Sequence, residues 1–377
     1  MPSEYAQAIA HIAQVIREDD GSGQLASDRL DGLSYAVIFK GTDARITSDI
    51  RLPEWLRIDV TTASDMQIVN EVALCITTYM KDLLFQRDEF GRYIGSPYDN
   101  FLRLNHLLQA PLAGETKADY NQRLYRQVLA LTNPIYVTPA NRSFKYHDQP
   151  FRFGPLELQG LKIFLAAASP GSTAGGAGNC AACHQAPDFS DFVFHNTGVS
   201  QEEYDAANGP GAFLRLAIPT NAMRLANIDA YMPVSANHPN ATETFRHAAV
   251  AGSPQYADLG LWNIYMNPDV PNPQANLKSF VCAAGKDCSV DQGLGATIAQ
   301  FKTPVLRDLE DSAPYFHNGS APKFDDVVNH YINMSALARA GAMRNSPAEF
   351  ANMSLTHDDL AALIAFLQSL TEDYDDA

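Results

Sequence analysis

Asn179-Cys180-Ala181-Ala182-Cys183-His184 is the stretch that decides how this 377-residue chain reads. Two thiols separated by two small residues and followed at once by a histidine form the C-x-x-C-H pattern of covalent c-type haem attachment. The spacing has a mechanical reason. Both cysteines must reach the two vinyl groups along one edge of the porphyrin, and the next residue then falls under the iron as its proximal ligand. Cys180 and Cys183 are therefore candidate covalent anchors, and His184 is the candidate iron ligand. The competing readings are a redox dithiol or half of a zinc site. A zinc site takes two further ligands, and no second cysteine pair of this spacing occurs.

Outward from the motif, residues 171–178 are small, and a flexible linker there lets the turn wrap the porphyrin edge. Residues 157–168 read as a helix leading to it, with Leu158, Leu161, Ile163, Phe164 and Leu165 apolar. After the motif, Phe189, Phe192 and Phe194 suit a haem wall, and His195 reaches a propionate or solvent rather than the iron. Residues 200–300 are weakly patterned. Met266 lies there as a conceivable sixth iron ligand, although a lone Met more often belongs to a core.

Earlier in the chain, residues 3–18 and 65–86 read as helices. Their stripes are Tyr5, Ile9, Ile12 and Ile16, and then Ile68, Val72, Cys75, Ile76, Tyr79 and Leu83, with Ser64 as the second N-cap. Residues 101–108 and 120–131 read as further helices. His147, in a proline-rich loop, reads as a surface histidine. Towards the C-terminus, residues 324–334 read as a helix. A last helix over 358–370 is capped by Thr356 with Asp359 three residues on.

The formal charge of −16 removes the basic footprint that nucleic acid needs. No apolar run is long enough to span a bilayer. Cys282 and Cys288 flank a short loop and read as a disulfide, and Cys75 as a buried thiol. A c-type haem and a disulfide both imply an oxidising compartment, the periplasm of a bacterium. Residues 1–5 lack the basic and apolar regions of a signal peptide.

Several segments occur together in a fixed order: Ser96-Pro97-Tyr98-Asp99, Gly160-Leu161-Lys162-Ile163-Phe164, Cys180–His184, Phe194-His195-Asn196-Thr197-Gly198, Thr303-Pro304-Val305-Leu306-Arg307, Ala313-Pro314-Tyr315-Phe316-His317-Asn318-Gly319 and Ala365-Phe366-Leu367-Gln368-Ser369-Leu370. In this the chain resembles the bacterial dihaem cytochrome c peroxidase family, including its MauG-like branch, over most of residues 65–371. The resemblance implies a mainly α protein: a cytochrome-c-like haem domain with long irregular loops, over 156–377, and a helical, loop-rich segment over 1–155, the remnant of or support to a first haem domain. Cys180, Cys183 and His184 would hold the family's second haem, with His317 in the haem environment. The sixth ligand in the peroxidases is a Met; in MauG-like members it is a Tyr. Counting from His317, Tyr331 falls at that position, with Met334 one turn further on, while His330 points about 100° away from Tyr331 on a helix. A core tyrosine is the plainer reading of Tyr331. A neutral thioether favours ferrous iron, whereas an anionic phenolate favours ferric and higher states.

The resemblance further implies a haem c oxidoreductase with hydrogen peroxide as oxidant. Its partner would be a small cytochrome, a copper protein or a protein substrate, with a homodimer as a further arrangement. The alternative is a monohaem electron-transfer cytochrome without peroxidase activity of its own. The family's first C-x-x-C-H motif and distal Glu have no counterpart here, and the chain is expected to be the second-haem portion of a longer protein. Carbonyls corresponding to Ser312 and Pro314 bind calcium in the family, but the remaining protein ligand would lie upstream.

Overall fold

Three residues set the first helix that bears on the haem motif. Ser96 caps it: the Ser96 hydroxyl accepts from the Asp99 amide, and the Asp99 carboxylate accepts from the Ser96 amide. Pro97 occupies the first helical position, where a missing N–H costs nothing. This reciprocal capping box starts a helix at Pro97–Leu104, several residues before the expected 101–108. The computed structural model that contains it describes residues 2–23, 26–27, 30–48, 50–82, 85–145, 147–270, 274–282 and 288–372.

The chain is mainly helical and falls into two compact units, Met1–Leu84 and Phe85–Ala377. In the first, α1 (Pro2–Glu18), α2 (Tyr35–Lys40) and α3 (Asp65–Asp82) bury Ala13, Ile16, Phe39, Val60 and Ile68 together. Arg17 ties α1 to α3 through Asp65 at 2.6 Å and through the carbonyls of Val60 and Ala63. Ser64 caps α3 as expected, bonding Gln67. The expected stripes are only partly buried. Val72 and Cys75 pack on this core, but Ile12 and Ile76 are exposed, and Leu83 lies outside the described residues.

In the second unit, α4 (Pro97–Leu104), α5 (Lys117–Ala130), α6 (Pro155–Leu165), α13 (Phe324–Arg339) and α14 (Leu360–Gln368) enclose the main core. The tightest approach is α6 on α14. A Cβ at Gly160 would lie 1.9 Å from the Ala362 carbonyl oxygen, so only glycine permits it. Thr356 and Asp359 form the expected capping box ahead of α14. β1 (Phe194–His195) pairs antiparallel with β2 (Phe301–Lys302), with Phe194 opposite Lys302 and His195 opposite Phe301.

The weakly patterned residues 200–300 build a second core. It is held by α7 (Val199–Asn208), by the short helices α8–α12 at Ala212–Arg215, Asn221–Ala226, Ile228–Tyr231, Gln274–Val281 and Val290–Ala296, and above all by Trp262. Arg224 is fully buried beneath that indole, donating to the carbonyls of Trp262 and Tyr265. Cys282 and Cys288 are joined as a disulfide; the loop between them lies outside the described residues. Met266 sits on the surface of this region, 38% exposed, and does not line the cavity that holds the cysteine motif. His147 is buried, not on the surface, because its Nε2 meets the Glu372 carbonyl at 3.1 Å.

Candidate haem site

Cys180 opens a single 3-10 turn, Cys180–Ala182, and His184 closes it by donating its amide to the Cys180 carbonyl at 2.8 Å. The residues before it are pinned rather than flexible. Ala177 pairs with Ser354 in a two-bond bridge, Gly178 donates to the Ile163 carbonyl, and Gly176 donates to Asp359. Asn179 takes a left-handed conformation, which Asn tolerates, and its side chain donates to the Glu349 carbonyl. This fixes the turn against α6 and the segment ahead of α14.

Both thiols are free and face one cavity of about 430 Å³. His184 lines it too. Its Nδ1 lies 3.0 Å from the Phe189 carbonyl, which can only accept, so Nδ1 carries the hydrogen and Nε2 keeps its lone pair. Burial holds the imidazole below its ordinary pKa, so the ring is neutral, the form that binds a metal. Burial also pushes the Cys180 thiol up to about 12.

A chain of contacts holds the carbonyl that orients His184. Phe189 is fully buried at φ 56°, wedged among the rings of Tyr98, Phe164 and Phe366. Arg307 donates from Nε to the Pro187 carbonyl, just upstream. Its two Nη groups make a bidentate pair with Asp99 at 2.9 Å each, and the pair is essentially without solvent exposure. Tyr93 covers the guanidinium, 3.8 Å from its ring centre. The Ser-Pro-Tyr-Asp and Thr-Pro-Val-Leu-Arg segments thus meet behind the histidine. Neither segment alone signals this ion pair, because its partners lie 208 residues apart.

The rest of the wall is mostly apolar, from Phe164, Phe301, Phe316, Val328, Phe350 and Met353 among others, with Lys302 and Glu349 as charged members. Of the aromatic run after the motif, Phe189 packs behind the site, Phe192 is 44% exposed and Phe194 does not line the cavity, so none of the three forms the wall expected of it. His195 does line the cavity. Against opposing desolvation, Asp191 at 2.8 Å and the Cys183 thiol hold its pKa up at about 10. Cys183, Asp191 and His195 converge within 4.8 Å. His317 also lines the cavity, stacked on Phe301 with ring centres 3.5 Å apart, and burial lowers its pKa to about 4.

α13 presents Val328 and Tyr331 to the cavity. Desolvation, with the nearby Cys180 and Cys183 thiols adding to it, keeps the Tyr331 phenol well above its usual value. Met334 does not reach the cavity; it packs under Gly198, where a Cβ would meet its sulfur at 2.5 Å. The donor set suits a c-type haem: two thiols, a neutral imidazole oriented from behind, and apolar walls. Ser312 and Pro314, whose carbonyls the resemblance associates with calcium, lie at the cavity wall.

No family model matches the chain. Among curated proteins it is 30% identical to the cytochrome-c peroxidase IdrP2 of Denitromonas iodatirespirans over 201 residues, which is 52% of this chain and 37% of that protein. It is 36% identical to the methylamine utilization protein MauG of Methylophilus methylotrophus over 90 residues, 22% of this chain and 25% of that protein. These similarities support a relation to the cytochrome c peroxidase/MauG-like proteins over about half of the chain. IdrP2 of Pseudomonas sp. (strain SCT) is 26% identical over 203 residues. These matches cover well under two thirds of the length of each relative, so the chain spans only part of the proteins it matches. Among the described residues, no helix is long and apolar enough to cross a membrane.

Proposed function

We propose that this chain carries a covalently bound haem c in a cytochrome-c-like domain and works as an oxidoreductase of the peroxidase/MauG type. The observation that carries this reading is the convergence of Cys180, Cys183, His184 and Tyr331 on one apolar cavity. Cys180 and Cys183 would form the two thioether links, His184 the proximal iron bond and Tyr331 the distal one, with His317 in the haem environment. The haem supplies one-electron redox chemistry when bound. The protein's part is to place and tune it. The Phe189 carbonyl fixes the His184 tautomer, and apolar walls exclude water and lower the local dielectric. The Tyr331 phenol would give up its proton on ligation, since only an anionic oxygen next to ferric iron offsets the cost of burial. A phenolate ligand favours ferric and higher oxidation states, which suits storage of an oxidising equivalent over plain relay.

Hydrogen peroxide is the proposed oxidant. The proposed partner is a small cytochrome, a copper protein or a protein substrate, and the proposed compartment is the periplasm, where a disulfide and thioether-linked haem persist. Mixing the haem-loaded chain with peroxide and a reduced small cytochrome tests this. Peroxide-dependent oxidation of the donor is the expected result. Electron exchange with the donor but no peroxide consumption would leave a simple electron carrier.

A further inference from the structure

His330 adjoins Tyr331 on α13 but takes no part in the cavity wall. It is 3% exposed, and both ring nitrogens are engaged. Nδ1 meets the Glu202 carboxylate on α7, and Nε2 lies 2.9 Å from the Thr197 carbonyl in the turn ahead of α7. Each ring nitrogen therefore has a partner in the 197–202 segment. One turn further along, Met334 seats under Gly198 in the same segment. The helix therefore has two working faces. Residues 330 and 334 grip residues 197–202, and Val328 and Tyr331 face the cavity. The Phe316 ring bridges the two faces, 4.7 Å from His330 and 6.4 Å from Tyr331.

Successive helical residues project about 100° apart, so fixing the direction of one fixes the other. We infer that His330 is the positioning residue for Tyr331: the hydrogen bonds of its two ring nitrogens lock α13 in the rotation that aims the Tyr331 phenol at the haem iron. Histidine suits the task because it makes hydrogen bonds in two opposed directions from a short rigid ring. The inference rests on the proposed ligand role of Tyr331. A sixth-ligand tyrosine must hold its oxygen at bonding distance from the iron. A small rotation of α13 would trade that bond for a water or a vacant position.

The test is the ferric spectrum of the haem-loaded full chain, read through the phenolate-to-iron charge-transfer band and resonance Raman phenolate modes. Tyr331→Phe sets the zero of the signal. His330→Leu, with parental haem content and helical circular dichroism, is expected to lose at least half of it. His330→Gln, which keeps an amide donor, is expected to recover part. A folded His330→Leu with the full parental signal, beside a Tyr331→Phe that lacks it, overturns the positioning role alone. A Tyr331→Phe spectrum identical to the parent overturns the ligand reading and this inference with it. Should His330→Leu fail to accumulate as holoprotein, Glu202→Ala decides. The Glu202 side chain is 46% exposed, so its loss is tolerated by the fold. At least a twofold loss of signal supports the inference, and an unchanged signal overturns it.

Discussion

Gly178 shows how closely the attachment turn is fitted. A Cβ there would lie 2.8 Å from the Cys180 sulfur and 3.1 Å from the Ile163 carbonyl oxygen. Its φ is not in the left-handed region, so alanine meets no backbone strain and the effect is purely steric. Gly178→Ala is expected to push the Cys180 thiol off its position at a cost of about 1–3 kcal/mol. Peptide mass mapping should then find Cys183 attached and Cys180 largely unattached; full double attachment would contradict the packing. At this scale the sequence was informative where chemistry is local. The C-x-x-C-H spacing names its own three candidate residues, and Tyr331, singled out by its position relative to His317, lines the same cavity. It was uninformative where partners are remote. Nothing local to Asp99 announces Arg307, 208 residues away, and nothing local to His330 announces Glu202.

Among the elements, the contact of α6 with α14 sets the floor of the haem cavity, since Phe164, Leu363 and Leu367 line it from these two helices. Gly160→Ala would drive a methyl group into the Ala362 backbone. The helices must separate, at an expected cost of about 1–3 kcal/mol. Urea denaturation of the variant checks this; an unchanged midpoint would mean that the helices do not pack this closely. Helix existence was legible from periodicity, but helix starts were not. α4 begins at Pro97 because of its capping box, and α5 begins at Lys117 because Thr116 caps it. α13 runs on to Arg339, well past the expected residue 334. Residues 200–300 gave little signal because their helices are mostly too short to show a period. They bury Tyr204, Phe213, Phe245 and Trp262 one ring at a time.

Within the larger unit, the beginning and the end of its described residues meet at Glu372. Its carboxylate accepts from the Gln86 amide, its own amide donates to Asp308, and it is fully buried. Burial raises its pKa to about 7, from a model-compound value of 4.5. A raised carboxylate pKa means that the folded state holds a proton the unfolded state has lost. Stability from this group is therefore complete below about pH 4.5, falls as pH rises towards 7, and stays reduced above it. Glu372→Gln is expected to flatten that slope and to be the more stable form at pH 8. Denaturation curves at pH 5 and pH 8 for both proteins check it; parallel pH dependence would contradict the burial argument. This closure was not legible beforehand, because a Glu two residues past an apolar helix reads as a solvated tail.

The central claim is that Cys180, Cys183 and His184 hold one haem covalently in the cavity that Tyr331 also faces. Intact-protein mass under denaturing conditions, combined with a pyridine haemochrome assay, tests it most directly on chain produced alongside c-type haem maturation machinery. The account predicts the mass of the polypeptide plus one haem, resistant to acidified organic solvent and abolished in Cys180→Ser/Cys183→Ser. The bare polypeptide mass, or haem that extracts freely from the parent, would contradict it.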